Sequence, residues 1–252
     1  MVTQQAGRAR GLIAEDVRFP GHHGELIEAY SARPLGDGPF PGVLVIFEAF
    51  GMVDHTRELV RKFAAAGYVA VAPDLYTRID GVDPNNFDTV RPAMMGLPDV
   101  QAIGDMEAAI AYLKAMPQSN GKVGSIGHCS GGRHSFLIAC NSTNLDAAVD
   151  CYGGFVVTDD TSDARPTPVI DMVADLGCPL LGLFGETDGN PSPEHVARIE
   201  EELTKYGKEH ELHSYAAPVG HGFFADYRPS YSQEAAVDGW GRIFAFFEKH
   251  LR

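Results

Sequence analysis

Short apolar runs alternate with amphipathic stretches along most of this 252-residue chain. The apolar runs have the length of strands and are rich in β-branched residues, as expected for strands buried on both faces of a parallel sheet. The stretches between them carry apolar residues at helical spacing, as expected for helices that pack one face on such a sheet. Predicted strands are residues 15–19, 25–32, 43–47, 68–72, 123–126, 145–152, 179–184 and 211–215, and predicted helices are residues 54–66, 100–116, 133–140, 193–206 and 233–250.

This alternation predicts the α/β class, with a mainly parallel central sheet flanked by helices and joined by right-handed crossovers. The first two strands are the exception, because the Pro/Gly-containing stretch 20–24 between them favours an antiparallel hairpin. Residues 1–12 are small and polar without periodicity, and they are predicted to be a flexible N-terminal segment. No linker, repeat or low-complexity segment interrupts residues 13–252, which are predicted to form one domain.

The composition is that of a globular protein, with 44% hydrophobic residues, 21% charged residues and a formal net charge of −14. Such acidity argues against general nucleic-acid binding, which needs a basic surface, and an anionic substrate would need a local basic pocket. The sequence has no apolar leader and no run of eighteen apolar residues, so neither a signal peptide nor a membrane span is predicted. The four cysteines form no Cys-x-x-Cys pair, and a cytoplasmic protein with reduced thiols is expected.

A glycine-flanked cysteine joins a predicted strand to a predicted helix in the stretch Gly127-His-Cys-Ser-Gly131. The pattern Gly-x-nucleophile-x-Gly between a strand and a helix is typical of a nucleophile elbow, here with Cys129 in the nucleophile position. The glycines let strand and helix approach closely, and the positive end of the helix faces the place where negative charge develops. The five residues alone also fit a tight turn with a small buried cysteine, but the flanking elements favour the catalytic interpretation.

A nucleophile of this kind needs a base, and the base needs an acid that orients it. In open α/β sheets such groups gather at the carboxyl ends of the strands, and in α/β-hydrolases they follow the order nucleophile, acid, histidine. Cys129, Asp188 and His221 have this order, each in a loop after a predicted strand. Asp188 could instead form an Asx-turn or cap the next helix, and Glu186 is the competing acid.

Taken together, these motifs resemble the dienelactone hydrolase family of the α/β-hydrolase superfamily. The matching segments are FEAFG at 47–51, PDLY at 73–76, GHCSGG at 127–132, GETD at 185–188 and GHGF at 220–223, followed by Arg228 and Tyr231. Each segment is short, but their order over roughly residues 25–250 is specific. The resemblance implies an α/β-hydrolase fold and a catalytic triad of Cys129, His221 and Asp188.

The resemblance also implies a role for Glu48, because a glutamate at this position contacts the resting cysteine thiol in the family until substrate binding releases it. A resting thiol has to be activated, since free cysteine has a pKa of about 8.5. Cys129 would attack an ester or lactone carbonyl, while the N–H groups of Ala49 and Ser130 form the oxyanion hole. His221 would protonate the leaving alkoxide and then activate water for the thioester. No metal or organic cofactor is expected.

Substrate recognition is expected to involve arginines, because dienelactones carry a carboxylate and the family's characterised members bind it with arginine side chains. The candidates are Arg78 and Arg91, in a predicted long loop over residues 75–98 with a short helix near 91–95, and Arg228, which lies further from the histidine motif than in the family. Each could equally be a surface arginine. His128 and Phe223 are expected to line the pocket, and a second long loop over residues 153–177 is predicted.

The predicted function is therefore a cysteine-dependent hydrolase of small-molecule esters or lactones, similar to a carboxymethylenebutenolidase. A broad carboxylesterase of the same fold is one alternative. A non-catalytic small-molecule-binding protein is another, although such a protein would need no complete triad. A thiol redox role for Cys129 lacks a neighbouring resolving cysteine in the sequence. A monomer or homodimer without nucleic-acid or membrane partners is expected.

Overall fold

One eight-stranded sheet runs through the part of the chain that this computed structural model describes, residues 11–252. The strands are β1 Leu12–Pro20, β2 Leu26–Pro34, β3 Phe40–Ile46, β4 Val69–Pro73, β5 Ser119–His128, β6 Ala147–Cys151, β7 Leu180–Gly185 and β8 His210–Tyr215. Their order across the sheet is β1-β2-β4-β3-β5-β6-β7-β8. β1 and β2 pair antiparallel, as do β2 and β4, and all pairings from β4 to β8 are parallel. The predicted mainly parallel sheet is confirmed.

Helices cover both faces of this sheet. They are α1 Asp54–Ala65, α2 Phe87–Gly96, α3 Asp99–Ala115, α4 Ser130–Asn141, α5 Pro193–Lys205 and α6 Gln233–Leu251, with short 3-10 helices at His22–Gly24 and Val169–Asp175. Alternate residues of β3 belong to different apolar clusters: Val43 packs with α1 and α6, and Leu44 packs with α3 and α4. This alternation is the expected result of a strand that is buried on both faces. No helix in residues 11–252 is long and apolar enough to cross a membrane.

Three segments differ from the sequence-based expectation. The loop after β4 contains the ten-residue helix α2 rather than a short helix near 91–95, because the Asn86 side chain accepts a hydrogen bond from the Asp88 N–H and begins the helix earlier. The second long loop contains the 3-10 helix Val169–Asp175. Of the predicted flexible segment 1–12, residues 1–10 lie outside the described residues, and β1 begins at Leu12.

The connection from β5 to α4 depends on glycine at two positions. A Cβ atom at Gly127 would overlap with the carbonyl group of Gly131, and a Cβ atom at Gly131 would overlap with the carbonyl oxygens of Ile46 and Phe47. These obstacles are backbone atoms, which cannot move aside as the end of a flexible side chain could. The first turn of α4 therefore packs against the ends of β3 and β5 only because side chains are missing there.

Replacing Gly127 by alanine should strongly destabilise the protein, by more than about 3 kcal/mol, because the backbone of α4 would have to move away from β5. Gly241 is the matched control, since it lies exposed in α6 and a Cβ atom placed on it would meet no other atom within 4 Å. Gly241→Ala should raise the free energy of unfolding by about 0.5–1 kcal/mol. Urea unfolding of both variants measures this contrast. Equal effects would contradict the steric role of Gly127.

Candidate active site

Cys129 occupies the sharp turn between the last residue of β5 and the first residue of α4. Its backbone has φ 57° and ψ −121°, a conformation that non-glycine residues rarely adopt. The Cys129 N–H donates to the Cys151 carbonyl at 3.0 Å, which ties the turn to the neighbouring strand β6. The side chain is partly exposed, unlike those of the three other cysteines. This turn therefore presents a thiol at the N-terminal end of a helix, where backbone N–H groups lack intrahelical acceptors.

His221 and Asp188 meet beside this turn, in the loops after β8 and β7. The Nδ1 atom of His221 donates to Oδ2 of Asp188 at 2.7 Å, and the Asp188 side chain is only 3% exposed. Burial lowers the pKa of His221, but hydrogen bonds to Asp188 and to Cys129, with the negative charges of both groups, raise it to about 10. The imidazolium form of His221 is therefore favoured at neutral pH.

Glu48 lies at the same site, at the end of β3, but its hydrogen bonds go to residues other than Cys129. Its Oε2 atom accepts from Nη2 of Arg228 at 2.5 Å and from the Tyr227 hydroxyl at 3.4 Å. Its Oε1 atom is buried and has no partner among the described residues. The carboxylate that the resemblance pairs with the resting thiol is thus held by an arginine in this structure.

The two residues expected to supply the oxyanion hole, Ala49 and Ser130, follow the end of β3 and begin α4, respectively. Ser130 is the first residue of α4, so its N–H lacks an intrahelical acceptor. Ala49 is buried directly after Glu48, and its carbonyl accepts a hydrogen bond from the Tyr76 hydroxyl at 3.1 Å. Burial raises the pKa of Tyr76 well above its ordinary value, so this hydroxyl stays protonated and keeps donating. The loop that carries the Ala49 N–H is thereby fixed in place.

His128 and Phe223 lie in the core and do not line an open pocket, which corrects the expectation from the sequence. Phe223 is fully buried between Tyr152 and Tyr215. His128 is 1% exposed and contacts Phe224 edge-to-face with 5.4 Å between ring centroids. Burial lowers the pKa of His128 to about 3, so the ring is neutral. The reason is geometric, because His128 still belongs to β5 and points to the face that α6 covers.

The three candidate arginines occupy different places. Arg228 is beside Glu48, as described above. Arg78 forms ion pairs with Glu25 at 2.5 Å and with the fully buried Asp105 at 2.7 Å, which satisfies a carboxylate that would be costly to bury alone. Arg91 is exposed on α2. Of the three, only Arg228 is therefore held against a candidate catalytic residue.

Asp150, which the sequence did not single out, is buried beneath the first turn of α4. Its Oδ1 atom accepts from the Gly153 N–H at 2.7 Å, while its Oδ2 atom has no partner among residues 11–252. Burial raises its pKa to about 7, against a smaller lowering by the Gly153 hydrogen bond and by His221. The sequence feature that could have pointed to Asp150 is a single acidic residue within the otherwise apolar strand Ala147–Cys151. No group of three or more potential metal ligands occurs in the described part of the chain.

Asp150 should make the stability of the protein depend on pH. Because its folded-state pKa is raised from 3.8 to about 7, the folded state binds a proton that the unfolded state releases between about pH 4 and pH 7. The free energy of unfolding should therefore fall as pH rises through this window, by about 2–4 kcal/mol from this group. Asp150→Asn keeps an acceptor for the Gly153 N–H and cannot ionise. The free energy of unfolding of this variant should therefore change less with pH between about pH 4 and pH 7.

Urea unfolding at a series of pH values tests this expectation, with Asp163→Asn as the control because Asp163 is exposed. The difference between wild type and Asp150→Asn should change with pH, whereas the control should run parallel to wild type. Parallel curves for Asp150→Asn would mean that this carboxyl group does not titrate near neutrality.

The strand order, with candidate groups after β3, β5, β7 and β8, defines an α/β-hydrolase fold. The profile of the "Dienelactone hydrolase family" matches residues 27–251, and the chain belongs to this family. Family membership indicates a hydrolase that acts on ester or lactone bonds of small molecules.

Individual relatives agree with this assignment. A protein of Methylorubrum extorquens named "Putative carboxymethylenebutenolidase" is 38% identical over 98% of this chain and 85% of its own length. An Escherichia coli K12 protein of the same name is 37% identical over 90% of this chain and 84% of its own length. The crystal structure titled "Putative Dienelactone Hydrolase" from Klebsiella pneumoniae superposes with a TM-score of 0.88 at 34% identity, covering 96% of this chain and all of that chain.

Proposed function

We propose that this protein hydrolyses a small ester or lactone through a covalent thioester on Cys129. The observation that carries the proposal is the position of His221, which is hydrogen-bonded to Asp188 and lies close enough to Cys129 for this residue to raise the pKa of the imidazole. A nucleophile, a base and an orienting acid in this arrangement are what acyl transfer requires. The nucleophile in this proposal is a thiolate, and a neighbouring imidazolium favours the formation of a thiolate.

In the proposed reaction, the Cys129 thiolate adds to the substrate carbonyl and the N–H groups of Ala49 and Ser130 stabilise the oxyanion. His221 then donates its proton to the departing alkoxide, and the carbonyl re-forms as a thioester. Next, His221 takes a proton from water, whose hydroxide attacks the thioester and releases the acid and the thiolate. Asp188 keeps the imidazole oriented through both steps. The net reaction consumes one water and yields an acid and an alcohol from an ester, or one hydroxy acid from a lactone.

For the substrate, we propose a lactone or ester with an acid group, as the name carboxymethylenebutenolidase of the relatives suggests. Of the three candidate arginines, Arg228 lies at the site, where it is paired with Glu48 and its guanidinium stacks on the Phe50 ring at 4.8 Å. A broad carboxylesterase is the second candidate, because Arg78 and Arg228 are already paired and Arg91 is exposed. Both candidates share the same nucleophile.

Removing the thiol should abolish turnover. Cys129→Ala is expected to lower kcat for 4-nitrophenyl acetate by at least about a thousandfold, since the acyl acceptor is lost. Cys178→Ala is the matched control, because it removes a buried thiol elsewhere in the chain and should keep nearly full activity. Initial rates of nitrophenol release, with circular dichroism as a check on folding, are the measurement. Undiminished turnover by Cys129→Ala would refute the assigned nucleophile.

Arg228 should promote thiolate formation by neutralising Glu48. The negative charges of Glu48 and Cys129 both act on Arg228, so Arg228→Gln would leave a nearby carboxylate uncompensated and disfavour the thiolate. Alkylation of Cys129 by iodoacetamide at pH 7 should slow by about three- to tenfold in this variant. It should recover in the double variant Glu48→Gln/Arg228→Gln.

The control for this experiment is Arg91→Gln, which removes an exposed arginine and should alkylate at the wild-type rate. Mass spectrometry after partial alkylation assigns the modification to Cys129. If Arg228→Gln reacts as fast as wild type, the pair with Glu48 has no influence on the thiol.

A further inference from the structure

Two arginines are buried together beside a single carboxylate, away from Arg228. Arg133, in the second turn of α4, is 2% exposed and donates to both oxygens of Asp99 at 2.7 and 2.8 Å. Arg165, in the loop before the 3-10 helix Val169–Asp175, is 7% exposed. No carboxylate in residues 11–252 lies within 4 Å of the Arg165 guanidinium. The buried cluster of Asp99, Arg133 and Arg165 therefore carries one net positive charge.

The hydrogen bonds of Arg165 do not neutralise this charge. Its Nη2 atom donates to the Met94 carbonyl, and its Nη1 atom lies 3.8 Å from the Met95 sulfur, a weak acceptor. The Nε atoms of Arg165 and Arg133 are both buried without a partner in the described chain. Buried donors on an unpaired cation are expensive, which is the state that an anion would relieve.

Arg133 and Arg165 both line the same small cavity of about 60 Å³. The hydroxyl-bearing residues Thr158, Thr161, Ser162 and Thr167 also line it, as does the exposed Asp160. Since a water molecule takes about 30 Å³ in the liquid, the cavity has room for a carboxylate group and excludes larger polyanions.

The local electrostatic field is positive, in a chain whose net charge is −14. Burial and the neighbouring Arg133 lower the pKa of Arg165 to about 10, against the opposite effects of Asp99 and Tyr76. Burial and both arginines lower the pKa of the nearby His134 to about 3. These shifts are consistent with an excess of positive charge in this part of the core.

The cavity also adjoins the candidate active site. Met95 and Phe155 form part of its wall and pack against the apolar cluster that contains Ala49. Tyr76, whose hydroxyl binds the Ala49 carbonyl, is within range of the charges of both Arg165 and Cys129. The cavity and the candidate active site are therefore joined through Met95 and Phe155.

We propose that the cavity between Arg133 and Arg165 is a binding site for a small anion of the size of a carboxylate. The carboxylate is either free in solution or carried on the acyl part of the substrate, in which case the site deepens the function proposed above and rests on it. Arg165 supplies the uncompensated charge, and Arg133 lines the same cavity. This site is separate from the Arg228–Glu48 pair.

The first experiment titrates sodium acetate against the protein and follows the unfolding midpoint and the heat of binding. Near saturation, the midpoint of wild type should rise by about 2–4 °C, because the anion binds only the folded state. Arg165→Gln should lose this response, and Arg91→Gln should keep it. Arg165→Lys retains the charge, so acetate should still raise its unfolding midpoint, but by less than in wild type. This variant replaces Arg165→Gln in the test if Arg165→Gln does not fold.

The second experiment identifies the source of the carboxylate by comparing 4-nitrophenyl acetate with mono-4-nitrophenyl succinate. If the substrate supplies it, Arg165→Gln should lower kcat/KM for the succinate ester at least tenfold and leave the acetate ester unchanged. If both esters are unaffected but acetate binding is lost, the site takes a free anion. Two results would overturn the proposal. In the first, acetate does not raise the unfolding midpoint of wild type, and Arg165→Gln affects both esters equally. In the second, acetate still raises the midpoint of Arg165→Gln, and this variant again affects both esters equally.

Acetate binding is measured without turnover, so it can be repeated on Cys129→Ala. A binding response in that variant stands even if Cys129 is not the nucleophile. Loss of hydrolysis with retained acetate binding, or the reverse, therefore separates failure of the catalytic proposal from failure of the anion site.

Discussion

The close approach of β5 and α4 at Gly127 and Gly131 is the constraint on which the rest of the site depends. It forces Cys129 into a backbone conformation with positive φ, which the hydrogen bond from its N–H to Cys151 helps to hold. A strained residue persists only when its surroundings over-determine it. The close packing at the two glycines holds Cys129 in this conformation, so the direction of its thiol is fixed before substrate binds.

The parallel sheet then decides which groups can meet this thiol. All parallel strands end at the same edge, so the loops after β3, β7 and β8 bring Glu48, Asp188 and His221 to the end of β5. The charges alternate there: Asp188 faces His221, and Arg228 faces Glu48. Because each carboxylate has a cationic neighbour, neither of them adds an uncompensated negative charge beside Cys129.

Sequence patterns predicted the parts of the structure that have local causes. Glycine spacing around Cys129, and the chain order of Asp188 and His221 after apolar runs, are properties of short segments, and the alternation of runs predicted the sheet. The partners of Arg78 are 27 and 53 residues away in the sequence, so no local pattern could reveal that this arginine is occupied. Sequence patterns also could not predict whether the side chain at one particular position is buried. One step along a strand reverses the direction of the side chain, and His128, although it adjoins Cys129, lies among aromatic rings.

The surroundings of Arg228 and Arg165 show why a buried arginine without a carboxylate partner indicates an anion-binding site more strongly than a paired, partly exposed one. Arg228 keeps part of its surface in water and has a carboxylate partner, so its arrangement is close to neutral in energy. Arg165 has lost its water without gaining a carboxylate, and polar groups left in that state weaken the folded protein. A fold that tolerates this cost would bind an anion more tightly, since pairing the buried guanidinium offsets part of the cost of burying it. Stability and ligand binding are thus coupled through one guanidinium group.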